Sequence, residues 1–139
     1  MNKLENPDRN EIRSILQDAK KIAVVGLSDN PARTSYSVSK AMQDAGYEII
    51  PVNPMIEEAL GVKAVPTLKD LPESVDIVNV FRRSEFLKEL AEDYLETDAP
   101  VFWTQLDVID EEVYKNLTDQ GRKVIMDRCI KVEHSITQP

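Results

Sequence analysis

The sequence predicts a single α/β domain, a three-layer, doubly wound parallel sheet with helices on both faces. Two observations predict it. Short apolar runs rich in β-branched and aromatic residues alternate with segments whose apolar residues recur at helical spacing. That is the pattern of parallel strands joined by helical crossovers. The chain has 139 residues without a repeat, a low-complexity tract or a linker, which suits one domain with a core of its own.

An N-terminal helix is expected within residues 1–19, where Ile12, Ile15, Leu16 and Ala19 form one stripe, ahead of a core over residues 20–134. Lys21 to Gly26 reads as the first strand. Val38, Ala41, Met42 and Ala45 recur at i, i+3, i+4 and i+7, so a helix runs from about Ser35 to Ala45. Gly46 suits its stop. Tyr47 to Val52 is the second strand, and Pro51 inside it points to an edge position or to the strand's end. Residues 53–72 are loop-rich, with a short strand around Lys63 to Val65. Val75 to Phe81 has the composition of a buried strand. Phe86, Leu87, Leu90, Ala91, Tyr94 and Leu95 mark the next helix, with Ser84 placed to cap it. Pro100 to Trp103 follows as a strand. Asp110 can cap a helix carrying Val113 and Leu117, whose first turn is acidic as the helix dipole favours. Gly121 closes that helix, and Lys123 to Met126 is the last strand. Five or six short strands with intervening helices make a Rossmann-like sheet.

Composition narrows the function. No stretch approaches the roughly 20 apolar residues that span a bilayer, so no membrane association is expected. The first residues lack the layout of a signal peptide, and a cytoplasmic location follows by default. One cysteine, Cys129, rules out an intramolecular disulfide framework. The net charge of −8, with no lysine and arginine run interleaved with aromatics, argues against nucleic acid. A small anion needs only two or three well-placed donors and remains compatible with that charge.

Sheets of this kind bind ligands beyond the carboxyl ends of their strands. Gly26, Leu27 and Ser28 follow the first strand, with Arg33, Ser35 and Tyr36 shortly after. Asn53 and Pro54 follow the second. Phe81, Arg82, Arg83 and Ser84 follow the third long strand, then Trp103, Thr104 and Gln105, and finally Asp127, Arg128 and Cys129. The first cluster reads as an anion site. Gly26 lets backbone approach a phosphate, Ser35 opens a helix with free N–H groups, and Arg33 offers a planar fork. The plainer alternative is that Gly26 makes a turn, Ser35 caps a helix and Arg33 is solvated. A dinucleotide is a poor fit, because the second and third glycines of G-x-G-x-x-G are missing. Asn53 also stands where an acidic residue would bond the ribose.

The segments "VVGLSDNPARTSYSV", "GYEIIPVNP", "VDIVNVFRRSE", "VFWTQLDV" and "VIMDRCIKVEH" resemble the small stand-alone CoA-binding proteins of bacteria and archaea. These are similar to the CoA-binding Rossmann domain of the succinyl-CoA synthetase α subunit, and the resemblance covers roughly Lys20 to His134. It implies coenzyme A or an acyl-CoA as the ligand. The Gly26-Leu27-Ser28 turn with Arg33, Ser35 and Tyr36 would hold the phosphates and the 3′-phosphoadenosine end. Asn53 and Pro54 would line the adenine and ribose side. Phe81, Arg82 and Arg83 would flank the pyrophosphate and pantetheine path, and Trp103 and Gln105 the pantetheine arm. Phe81 and Trp103 read equally as core residues. The family usually has glycine where this chain has Asp107. A carboxylate there would disfavour an anionic acyl group, or Asp107 faces solvent.

No catalytic constellation is expected. Cys129 and His134 are the only cysteine and histidine, and proximity in sequence does not make a thiol–base pair. Cys129 reads as a small buried hydrophobe or as a partner for a mixed disulfide with CoA, and His134 as a surface residue near the tail. No metal site is expected from one histidine and one cysteine. The chain therefore reads as a non-catalytic binding, carrier or sensor domain. The alternatives are an NAD(P)-dependent oxidoreductase and an interaction domain without a ligand. A homodimer is compatible with apolar positions near the termini.

Overall fold

The computed structural model describes residues 4–139. In chain order the elements are α1 (Arg9–Asp18), β1 (Lys21–Val25), α2 (Thr34–Asp44), β2 (Glu48–Val52), β3 (Glu58–Ala59) and β4 (Val62–Lys63). There follow β5 (Ile77–Val80), α3 (Leu87–Leu95), β6 (Val101–Thr104), α4 (Glu111–Asp119), β7 (Lys123–Ile125) and α5 (Ile130–Thr137). Five strands form one parallel sheet in the order β2-β1-β5-β6-β7, and β3 and β4 make a small antiparallel hairpin. The chain steps outward from β1 to β2, then returns to the other side of β1 at β5. The direction of winding reverses there, so β1 and β5 form the switch point of this Rossmann-like fold.

Alternation along each strand divides the core in two. Ala23, Val25, Val78, Val80 and Phe102 pack under α3 and α4. Ile22, Val24, Ile77, Trp103 and Ile125 pack under α1, α2 and α5. Burial on both faces explains why β1, β5 and β6 read as continuous apolar runs. β2 lies at the sheet edge, where Pro51 costs no central ladder bond.

Local chemistry sets the helix ends. Asp8 caps α1 by accepting from the N–H of Glu11, and Asp110 caps α4 by accepting from Val113 at 3.1 Å. Three expectations are corrected. α2 begins at Thr34 with Arg33 as its N-cap, and Ser35 is a buried residue of the first turn. Ser84 does not cap α3; it opens a 3₁₀ turn, Ser84–Phe86, and its hydroxyl is used elsewhere. The short strand expected around Lys63 to Val65 is Val62–Lys63, with Val65 bridging to Val52 of β2.

The tail carries a helix, Ile130–Thr137, that the periodicity does not reveal. α5 buries Ile130, Glu133 and Thr137 while exposing Val132 and Ile136. Glu133 is held there by Arg9, whose guanidinium reaches both carboxylate oxygens at 3.3 Å. His134 accordingly lies on a helix and meets the Tyr47 ring edge-on at 5.7 Å.

Candidate functional site at the carboxyl edge

All five strands of the large sheet end on one edge, and the site is built from the loops beyond it. Gly26 ends β1 with φ +83°, and a Cβ there would lie 2.4 Å from the Phe81 carbonyl oxygen. The glycine is therefore required by the backbone of the neighbouring strand's exit, whatever approaches from outside. Gly26 N–H also donates to Val52, and Phe81 N–H to Val25. Three strand exits are locked together at the switch point.

Beyond Gly26 the chain folds into successive turns. Leu27 is fully buried, so only its backbone belongs to the edge, and its carbonyl accepts from the Asn53 amide at 3.0 Å. Asn53 Oδ1 in turn accepts from the N–H of Met55, so this side chain ties the first two loops together. Ser28 N–H donates to the Ser35 hydroxyl, and the Ser28 hydroxyl accepts from Asn30. These serines shape the loop that delivers Arg33 to the start of α2. There the first N–H groups, of Thr34 and Ser35, are those a helix leaves without intrahelical partners. Arg33 is exposed, and its guanidinium has no hydrogen bond or ion pair among the described residues. Tyr36 is half-buried one residue further into α2.

Two clefts open along the edge. The first, about 260 Å³, is walled by Val25, Val52, Pro54, Thr67, Leu68 and Phe86. The second, about 630 Å³, lies between the loops after β5 and β6, lined by Phe81, Ser84, Leu106, Asp107 and Val108, with Thr34 and Cys129 also on its wall. Arg82 borders both clefts, its guanidinium 4.6 Å above the Phe86 ring. Arg83 borders only the second and reaches Glu85 at 3.6 Å while remaining largely exposed. Of the two adjacent arginines, Arg82 is the one shared between the clefts.

The walls of the second cleft are held from behind. Asp127 accepts from the N–H of Asp107 at 2.7 Å, and Ser84 accepts from Ile109 at 2.9 Å. The Thr104 hydroxyl donates to the Val108 carbonyl and accepts from the N–H of Asp127. Asp107 and Asp127 both adopt left-handed backbone, at φ +66° and +60°, a region unusual for residues other than glycine. Cys129 is half-buried, packs partly against the core and serves as the N-cap of α5.

One expected ligand contact is corrected. Trp103 is wholly buried in the helix-covered face, with its indole N–H donating to the Arg128 carbonyl at 2.9 Å. It cannot lie along a ligand arm. Gln105 borders the second cleft, but its side-chain oxygen accepts from the N–H of Ile130 and completes the start of α5. Thr67 and Leu68 of the first cleft carry no sequence signal, because the loop-rich segment before β5 has no motif. Asp127 stood among the strand-end residues, with nothing to mark it as the brace of the neighbouring loop.

Comparison with known proteins identifies the family. The CoA binding domain family matches residues 20–135. An uncharacterised Bacillus subtilis protein, YneT, is 64% identical over 135 residues, covering 97% of this chain and 100% of the relative. The α subunit of an ADP-forming acetate–CoA ligase from Pyrococcus furiosus is 36% identical over 69 residues, 49% of this chain and only 15% of that subunit. A solved structure of a hypothetical protein from Pyrococcus horikoshii superposes with a TM-score of 0.92 at 32% identity, over 100% of both chains. The chain belongs to the CoA-binding domain family.

Proposed function

We propose, taking that membership as the premise, that the protein binds coenzyme A or an acyl-CoA across the carboxyl edge of its sheet, as a carrier or sensor domain without a catalytic step of its own. The observation that carries this reading is the pair of clefts meeting at Arg82 beside the N-terminus of α2. An extended ligand with an anionic centre and two dissimilar ends fits that layout. The pyrophosphate takes the helix N-terminus, with Arg33 and Arg82 as charge-assisted donors. The adenosine end takes the first cleft beside Asn53 and Pro54, and the pantetheine arm takes the second, past Phe81, Arg83 and Gln105. Tyr36 and Ser28 complete the phosphate side. The larger cleft alone falls within the roughly 300–1,000 Å³ of small-molecule sites.

Dinucleotide chemistry is less well supported. The residue after β2 is an amide already bonded to the Leu27 carbonyl, with no carboxylate there to take a ribose diol.

Calorimetric titration with CoA, dephospho-CoA and NAD tests the reading. Binding of CoA, weakened in dephospho-CoA and absent with NAD, is expected. Failure of CoA to bind, or binding of NAD alone, would overturn it.

A further inference from the structure

We propose that the second cleft selects among acyl thioesters, taking neutral apolar acyl groups and rejecting those that carry a terminal carboxylate, with Asp107 as the residue that sets the choice. The inference rests on the CoA reading, which brings the thioester end into this cleft.

The apolar half follows from what the cleft leaves uncovered. Phe81, Leu106 and Val108 line it. Leu106 is 59% exposed, and Ile109, tied to the same cleft through Ser84, is 40% exposed. Exposed apolar surface beside a cleft is surface that a hydrocarbon chain gains by covering. A butyryl-sized group leaving the pantetheine arm meets these side chains, whereas free CoA leaves them wet.

The charge half follows from Asp107. It lines the cleft between Leu106 and Val108, and its carboxylate has no hydrogen bond or ion pair among the described residues. Behind it, the Asp127 carboxylate accepts from the Asp107 N–H at 2.7 Å, so a second negative group backs this wall. Neither cation that borders the cleft pairs with Asp107 among the described residues. Arg83 pairs with Glu85, and Arg82 stacks on Phe86 at the junction assigned to the pyrophosphate. An acyl carboxylate would enter against uncompensated negative charge, and rejection by like charge is a common source of discrimination between otherwise similar ligands. Asp107 holds φ +66°, and its backbone is fixed by Asp127, which accepts from its N–H, and by the Ser84 hydroxyl, which donates to its carbonyl.

The test is calorimetry with free CoA, butyryl-CoA and succinyl-CoA on the wild-type chain and on Asp107→Asn and Asp107→Gly, both of which tolerate left-handed backbone. The wild type is expected to bind butyryl-CoA more tightly than free CoA, and succinyl-CoA more weakly than either. Both variants are expected to narrow the butyryl-to-succinyl ratio by roughly three- to tenfold, the scale of one like-charge contact in a partly wet site. If succinyl-CoA binds as tightly as butyryl-CoA, if butyryl-CoA gains nothing over free CoA, or if both variants keep the wild-type ratio, the selection is overturned while CoA binding stands. If no CoA species binds the wild type, the reading of the site fails as well.

Discussion

The two ends of the sheet treat charge in opposite ways. At the amino edge, Asp76 accepts from the N–H groups of both Lys20 and Lys21, at 2.8 and 3.0 Å. Lys21 lies 2.8 Å from Glu73 and 3.8 Å from Glu48, and Lys123 lies 2.6 Å from Glu11. At the carboxyl edge, Arg33 has no such partner among the described residues, Arg82 rests on an aromatic ring, and Asp107 and Asp127 hold left-handed backbone. One end uses its charges to close the fold. The other keeps donors free and loops braced, which is what a site for an anionic ligand requires. Substitutions at the amino edge should therefore change stability and spare binding, and those at the carboxyl edge should do the reverse.

Gly26 is the position where that division should fail, and there the largest effect is expected. A methyl group at Gly26 meets the Phe81 carbonyl at 2.4 Å and also opposes φ +83°. Gly26→Ala should cost about 3 kcal/mol or more of stability and lose CoA binding as well, because the exits of β1 and β5 must part. Urea denaturation and calorimetry on the same preparation check both halves. A variant that keeps wild-type stability would mean the strand exits yield without cost.

Next comes Asp76→Ala, which leaves two N–H groups at the start of β1 without their acceptor. Both bonds run to one carboxylate oxygen at a partly exposed site, so about 1.5–3 kcal/mol of stability should disappear in total, read as a lower urea midpoint, with the CoA dissociation constant unchanged. Arg33→Ala is the mirror experiment. Its exposed guanidinium supports nothing in the fold, so the urea midpoint should hold while CoA affinity falls by about 1.5–3 kcal/mol, the scale of a charge-assisted phosphate contact. Equal losses in both measurements for either variant would erase the contrast between the edges.

The same contrast explains what was legible in the sequence. Strands buried on both faces, such as Ile77–Val80, announce themselves as apolar runs, and the turn at Gly26 with Arg33 stands out because it follows one. What depends on long-range contact does not stand out. Trp103 sits at a strand end and looks available to a ligand, yet its register opposite Asn79 and Ile125 turns it into the helix-covered core. α5 hides because its buried face carries Glu133 and Thr137, stabilised by Arg9 from more than a hundred residues away, while Val132 and Ile136 face outward. The bracing of Asp107 by Asp127 joins two loops that no local pattern connects.

The smallest expected effect is a pH slope at the amino edge. The Lys21 ammonium, hydrogen-bonded to Glu73, holds that carboxyl below its ordinary value of 4.5, with Glu48 contributing in the same direction. Glu73 raises Glu48 above its own ordinary value through the hydrogen bond and the charge between them. A depressed carboxyl stabilises the fold above its unfolded value, and that contribution disappears as pH falls through the folded one. Glu48 works the other way, favouring the fold below its unfolded value and losing that contribution as pH rises through its raised one. The two partly cancel, so the melting temperature should fall only gently between about pH 5 and pH 3, and Glu73→Gln should flatten this fall further. Glu48 and Glu73 are exposed and Lys21 is half-buried, so about 1 M salt should abolish most of the difference between variant and wild type. An unchanged slope in Glu73→Gln at low salt would show that this cluster contributes nothing to closing the amino edge, leaving Asp76 to do so through its backbone bonds alone.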